Sequence, residues 1–140
     1  ILAAAVAAIF RGSAQWGMIG WQVWVHLATV FAALALTPMV LWRRRGTPQH
    51  RLFGYIWVTA MALTALLSFD IRMINQGSFS LIHLLSIVTL AALVRVVLTA
   101  RARDLRNHRQ AVRMLALGAL LIAGFFTFPF DRLLGHWLFS

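Results

Sequence analysis

Histidines are the residues of this 140-residue chain with the most chemistry to offer, and four of the five fall in step. Val25-His26-Leu27-Ala28-Thr29-Val30 matches Ile82-His83-Leu84-Leu85-Ser86-Ile87, and Arg44 to Gln49 followed by His50-Arg51 matches Arg101 to Asn107 followed by His108-Arg109. Cysteine is absent, which excludes disulfides, thiolate chemistry, iron–sulfur clusters and cysteine-bound zinc. No phosphate loop, catalytic triad or pair of buried carboxylates is present, so no catalytic residue is expected. Paired imidazoles suit a transition metal, and two that reach inward from opposite sides can hold haem iron on both faces of the macrocycle. The pattern therefore predicts haem b, with His26 and His83 as axial ligands of one iron and His50 and His108 of another.

The elements that must position these side chains are apolar. Hydrophobic residues make up 61% of the chain and charged residues 11%, and a soluble fold of this size could not hide so much apolar surface. A first span is expected from about Trp21 to Trp42, kinked by Thr37-Pro38 and closed by Arg43, Arg44 and Arg45. After Gly46, Thr47 should cap the next helix with Pro48 as its first residue, and the second span covers roughly Leu52 to Phe69. Asp70 to Ser80 reads as a polar turn, Leu81 to Leu98 as a third span, and a fourth runs from a cap at Asn107 to about Phe130. Asp131 to Ser140 is a short amphipathic tail with Trp137 and His136, the latter without a role at a site. Ile1 to Phe10 is apolar but too short to cross alone. It should end an additional N-terminal helix or lie along the interface, and is not expected to be a cleaved signal. The fold class expected is all-α, an integral membrane up-down four-helix bundle in a single transmembrane domain over residues 1–140. Two repeated helical hairpins, about 21–72 and 78–132, build it around a pseudo-twofold axis along the membrane normal.

Charge sets the orientation. The 13 basic residues are all arginine and face only Asp70, Asp104 and Asp131. A pI near 12 in a soluble protein would point to nucleic acid, but these arginines sit in short loops between apolar runs, so no nucleic-acid partner is expected. Arg43, Arg44, Arg45, Arg51, Arg101, Arg103, Arg106, Arg109 and Arg113 gather at one end and Arg11, Arg72 and Arg132 at the other. That bias places the Arg-rich loops in the cytoplasm and the chain in a bacterial inner membrane, in contact with anionic lipids. Trp16, Trp21 and Trp24 form an outer aromatic belt, and Trp42 marks the inner one. Arg95 should snorkel to the interface. Asp70 with Arg72 and Asp131 with Arg132 read as rim ion pairs worth little.

In such a bundle diagonal helices lie roughly 12–14 Å apart, room for a flat macrocycle between two histidines. The outer and inner pairs would stand about 24 Å apart along the normal, enough to move electrons between leaflets. Thr29 and Ser86 follow their histidines on the same face, Gly54 and Ala111 would clear space beside His50 and His108, and Arg51 and Arg109 would hold anionic propionates. Plainer readings stand beside this one. Histidines at an interface contact water or headgroups, and deeper ones hydrogen-bond between helices. A third reading joins His26, His83, Asp70 and Asp131 in one outer site for a divalent ion.

The stretches Leu67-Ser68-Phe69, Phe79-Ser80-Leu81-Ile82-His83-Leu84-Leu85-Ser86, Thr47-Pro48-Gln49-His50-Arg51 with Gly54, Asn107-His108-Arg109, and Ile122-Ala123-Gly124 with Phe126-Thr127-Phe128 resemble a widespread family of small bacterial membrane proteins. The likeness covers nearly the whole chain from His26 to Ser140. It implies a four-helix core, sometimes preceded by an extra helix, and brings no established activity. Where that family tends to read Ser-Ser-Phe-Phe-Ile-His, this chain has Ser68-Phe69-Asp70-Ile71-Arg72, so no histidine is carried over to Arg72. The layout of paired histidines is also similar to that of dihaem b-type membrane cytochromes, as an arrangement without a shared local motif. The function expected is an electron-transfer protein or subunit, with quinol or a larger redox complex as partner. The rival is a haem-free accessory subunit whose apolar faces, Phe125, Phe126 and Phe128 among them, pack on other membrane protein subunits.

Overall fold

In a computed structural model the chain is a series of helices joined by short turns; residues 2–70, 81–122, 124 and 133–139 are described, with no strand among them. Helix α1 covers Leu2–Arg11 and runs into a 3₁₀ segment, Gly12–Met18. Then come α2, Trp21–Trp42; α3, Pro48–Asp70; α4, Leu81–Arg101; and α5, Leu105–Leu115, which continues as a π-helical segment over Ala116–Ile122. Helix α6, Leu133–Phe139, closes the described chain.

Among the described residues, three helices are long and apolar enough to cross a membrane: Trp21–Trp42, Pro48–Phe69 and His83–Arg101. The fourth expected span differs. Its helix starts at Leu105 and not after Asn107, because Asp104 takes the cap: its carboxylate accepts the Asn107 backbone N–H at 3.1 Å. Its first turns are polar, and apart from Gly124 the stretch from 123 to Phe130 lies outside the described residues. So do the turn at 71–80 and Asp131.

Local sequence explains the remaining ends. Arg43 turns out of α2 in an extended conformation, and Gly46 adopts φ 85°, a left-handed geometry that glycine takes without penalty. Thr47 caps α3 by accepting the His50 N–H at 3.1 Å, while its own hydroxyl donates to the Arg44 carbonyl at 2.9 Å. Pro48 follows where a missing N–H costs nothing. Arg43 donates to Gln49 and lies 5.0 Å over the Phe53 ring, which ties the turn to the first turns of α3. The α4–α5 turn also has one left-handed residue, Arg103 at φ 55°.

Helix α2 packs on α3, α3 on α4, α4 on α5, and the π segment returns to α2. One apolar cluster draws on all of them: Ala33 and Val40, Trp57 and Met61, Leu93 and Val96, Val112 and Leu115, and Leu120. For helices that span a membrane, lipid offers no hydrophobic drive to associate, and close packing and polar ties carry such contacts. Two such ties join α2 to α3. The Trp57 indole donates to the Thr37 hydroxyl at 3.0 Å, and the Thr37 hydroxyl meets the Ala33 carbonyl at 2.7 Å. Nearer the other end the Thr64 and Thr29 hydroxyls lie 2.8 Å apart. Ties of this kind contribute about 0.6 kcal/mol each in a membrane, rarely above ~1.7. Helix α2 runs through Pro38, which has no N–H to offer the carbonyl of Leu34.

The N-terminal residues pack against the tail. Ala5 and Ala8 of α1 meet Leu134 and Trp137 of α6, with Leu27 beneath them. Arg11 donates to the Leu138 carbonyl at 2.6 Å, and Trp16 donates to the Ile9 carbonyl at 3.0 Å while its ring meets Trp24 edge-on at 5.4 Å. Gly12 is pressed against the Trp137 indole, which a Cβ would overlap, whereas a Cβ on Gly17 would meet nothing. Gly12→Ala should therefore lower stability by about 1–3 kcal/mol through overpacking, with Gly17→Ala within ~0.5 of wild type. Thermal unfolding of the detergent-solubilised chain checks this; equal midpoints for the two variants would contradict the packing described.

Candidate functional site

The inner histidines are set by two helix starts. His50 sits in the first turn of α3, where Thr47 holds its N–H. Asp104 does the same for α5: it accepts the Asn107 N–H at 3.1 Å and the Asn107 side-chain amide at 2.5 Å, and its carbonyl accepts the His108 N–H at 2.9 Å. The two caps place both imidazoles at the Arg-rich end, and the rings meet with centroids 6.5 Å apart and planes at 84°.

The orientation of the His108 ring follows from its neighbour. Nδ1 lies 3.1 Å from the Val96 carbonyl of α4, which can only accept, so Nδ1 carries the proton. The Thr99 hydroxyl, whose contacts run to the Arg95 and Val96 carbonyls, lies 3.5 Å from the same nitrogen. In the neutral ring that leaves a lone pair on Nε2, the arrangement in which metal-ligating histidines are held by their surroundings. His50 Nδ1 is buried and has no hydrogen-bond partner among the described residues.

Val40, Leu41, Arg45, His50, His108, Arg109 and Val112 line a cavity of about 10 Å³, the volume of one water. Two imidazoles bound trans to one ion, at metal–nitrogen distances of about 2.0 Å, have centroids roughly 6 Å apart, so the ring spacing suits such a pair. A cavity of that size is at the lower limit for a single water. Sites for drug-sized ligands run to about 300 Å³ or more, so a macrocycle between these rings requires α3 and α5 to part. Arg45 is half-buried, and burial first, then Arg109 and Arg113, pull its guanidinium below its usual range, although it stays charged.

The outer histidines each have their own surroundings. His26 is partly buried on α2 with Nδ1 unpartnered among the described residues, and the Thr64 carbonyl faces its ring. Thr29 is committed locally, its hydroxyl 2.8 Å from the His26 carbonyl and against Thr64. His83 is buried on α4 in line with Ser86 and Thr89, and its ring stands 5.8 Å from Phe69. The Asp70 side chain and Asp131, which the divalent-ion reading needs, lie outside the described residues, and no group of three or more metal-ligating side chains occurs among those described. The Arg51 side chain is exposed, while Arg109 reaches the inner cavity. A Cβ on Gly54 would meet only open space, and Ala111 belongs to the apolar cluster. Sequence reasoning missed Arg45 and the Val96 carbonyl; a backbone acceptor has no residue signature. Compared with protein-family models, curated proteins and solved structures, the chain matches none.

The Asp104 carboxyl titrates below its ordinary 3.8 because the Asn107 N–H, and then its side-chain amide, stabilise the ionised form. A lowered folded value means that the cap's contribution is whole above about pH 4 and is lost as the pH falls through the lowered value. Asp104→Asn keeps a capping oxygen without the titration. Unfolding midpoints measured from about pH 6 down to about 2.5 should show wild type falling away from Asp104→Asn below about pH 4; parallel curves would contradict the cap.

Proposed function

We propose that this chain is an electron-transfer protein, or a subunit of a larger redox complex, of the bacterial inner membrane, with its Arg-rich end cytoplasmic and haem b held between His50 and His108. One observation carries the reading: two matched histidines on different helices meet ring to ring at 6.5 Å, and the Nδ1 of one is engaged by a backbone carbonyl. The segregation of nine arginines at that end supports the orientation. The apolar sequence from Leu115 to Phe130 supports a fourth crossing through α5 and the residues after it.

Bound haem would supply one-electron chemistry. This chain's part is to present Nε2 of His108 with its tautomer fixed, and to set Arg45 and Arg109 beside the imidazoles where anionic propionates need positive charge. Admitting the group means widening the α3–α5 gap beyond its one-water cavity. A second pair, His26 and His83, would extend the path toward the other leaflet, with quinol or a neighbouring redox subunit as partner.

The closed cavity favours a second reading, a haem-free accessory subunit. Its α4 shows a lipid-side face of Leu84, Ile87, Val88, Val94 and Leu98 that other membrane subunits would cover. A reduced-minus-oxidised absorption spectrum of the purified full chain separates the two. Electron transfer predicts a sharp b-type α band that His50→Ala and His108→Ala each reduce or abolish and His136→Ala leaves alone. A stable chain that stays colourless when expressed with ample haem would remove the first reading and leave the second.

A further inference from the structure

Helix α5 has two unlike faces. Ala111, Val112 and Leu115 enter the apolar cluster, while Arg106, Arg109, Gln110 and Arg113 line an exposed groove of about 650 Å³ with Met114 and Leu117. We infer that this groove binds an anionic phospholipid of the leaflet at the Arg-rich end, phosphate on the arginines and acyl chain along Met114 and Leu117. The inference needs the membrane and that end's place at its surface, and does not rest on the metal reading.

Spacing, order and charge carry it. Arg106, Arg109 and Arg113 follow at three and four residues, which stacks their side chains on one helix face. Gln110 adds an uncharged amide donor between them. Leu105 opens the groove, and from there the basic positions precede Met114 and Leu117 over a rise of roughly 16 Å from Arg106 to Leu117, as a headgroup followed by a chain requires. No salt bridge takes up Arg109 or Arg113 among the described residues. Asp104, beside Arg106, is the carboxylate on hand, and its oxygens are engaged by Asn107. Arg45 comes close enough to Arg109 and Arg113 for the three like charges to repel, which an added phosphate would relieve. Guanidinium forks suit phosphate oxygens, and basic pockets on transmembrane helices at the cytoplasmic side are where anionic headgroups settle. Free phosphate would satisfy the arginines alone; the exposed Met114 and Leu117 favour a lipid.

The test uses the full chain in a neutral detergent, with bound lipid counted by native mass spectrometry during titration with phosphatidylglycerol or phosphatidylcholine. Wild type should retain phosphatidylglycerol in preference to phosphatidylcholine. R106Q/R113Q should weaken phosphatidylglycerol about 25-fold, near fivefold per arginine, while R44Q/R101Q, which removes as much charge from the same end outside the groove, should stay within about threefold. R113Q alone, expected at about fivefold, serves if the double variant does not purify. Equal losses in the two double variants would overturn the site in favour of diffuse charge. Displacement of the lipid by millimolar inorganic phosphate would overturn the lipid in favour of a phosphate site.

Discussion

The hydrogen bond from His108 Nδ1 to the Val96 carbonyl joins the start of α5 to the last turns of α4, and the geometry of the inner site follows from it. Without it the imidazole could rotate or take the other tautomer. With it, the neutral ring keeps its lone pair on Nε2, and the plane stands nearly perpendicular to that of His50. The bond is in turn possible because Asp104 starts α5 where it does. A cap moved to Asn107 would unwind the turn that carries His108.

Elsewhere the helices are held by weaker ties. Trp57 with Thr37 and Thr64 with Thr29 fasten α2 to α3 at two depths, and small residues such as Ala33, Ala60 and Ala111 permit close approach between them. Along α4, His83, Ser86 and Thr89 bring polar groups inward above the apolar Leu93 and Val96. A buried polar line of this kind is retained in a membrane only where its groups find partners inside the protein. The α1–α6 contact is separate in character, built from alanines, one glycine and the buried Trp137 indole.

How much of this was legible in sequence depended on how local each signal was. Thr47-Pro48 announced the start of α3 because a cap and a first-turn proline act within four residues. The start of α5 was misplaced because Asp104 and Asn107 are both good caps three residues apart; the carboxylate, able to accept from both Asn107 nitrogens, takes the role. The approach of His50 to His108 followed from the matched halves, since two histidines opening equivalent helices must share an end. Their actual distance depends on packing by Val40, Leu41 and Val112, which apolar sequence leaves open. The membrane-length helices were plain from apolar run length, except where arginines break the hydropathy of α5.

The inner site's claim to hold a ligand rests on a His108 ring whose proton sits on Nδ1 and whose Nε2 is bare. Histidine side-chain ¹⁵N NMR of the labelled full chain in lipid, with His108 assigned by comparison with His108→Gln, reads that directly. The structure predicts a protonated Nδ1 and an unprotonated Nε2 for the neutral ring. A proton found on Nε2 instead would contradict it, because the bond to Val96 and the free ligating nitrogen would both be lost.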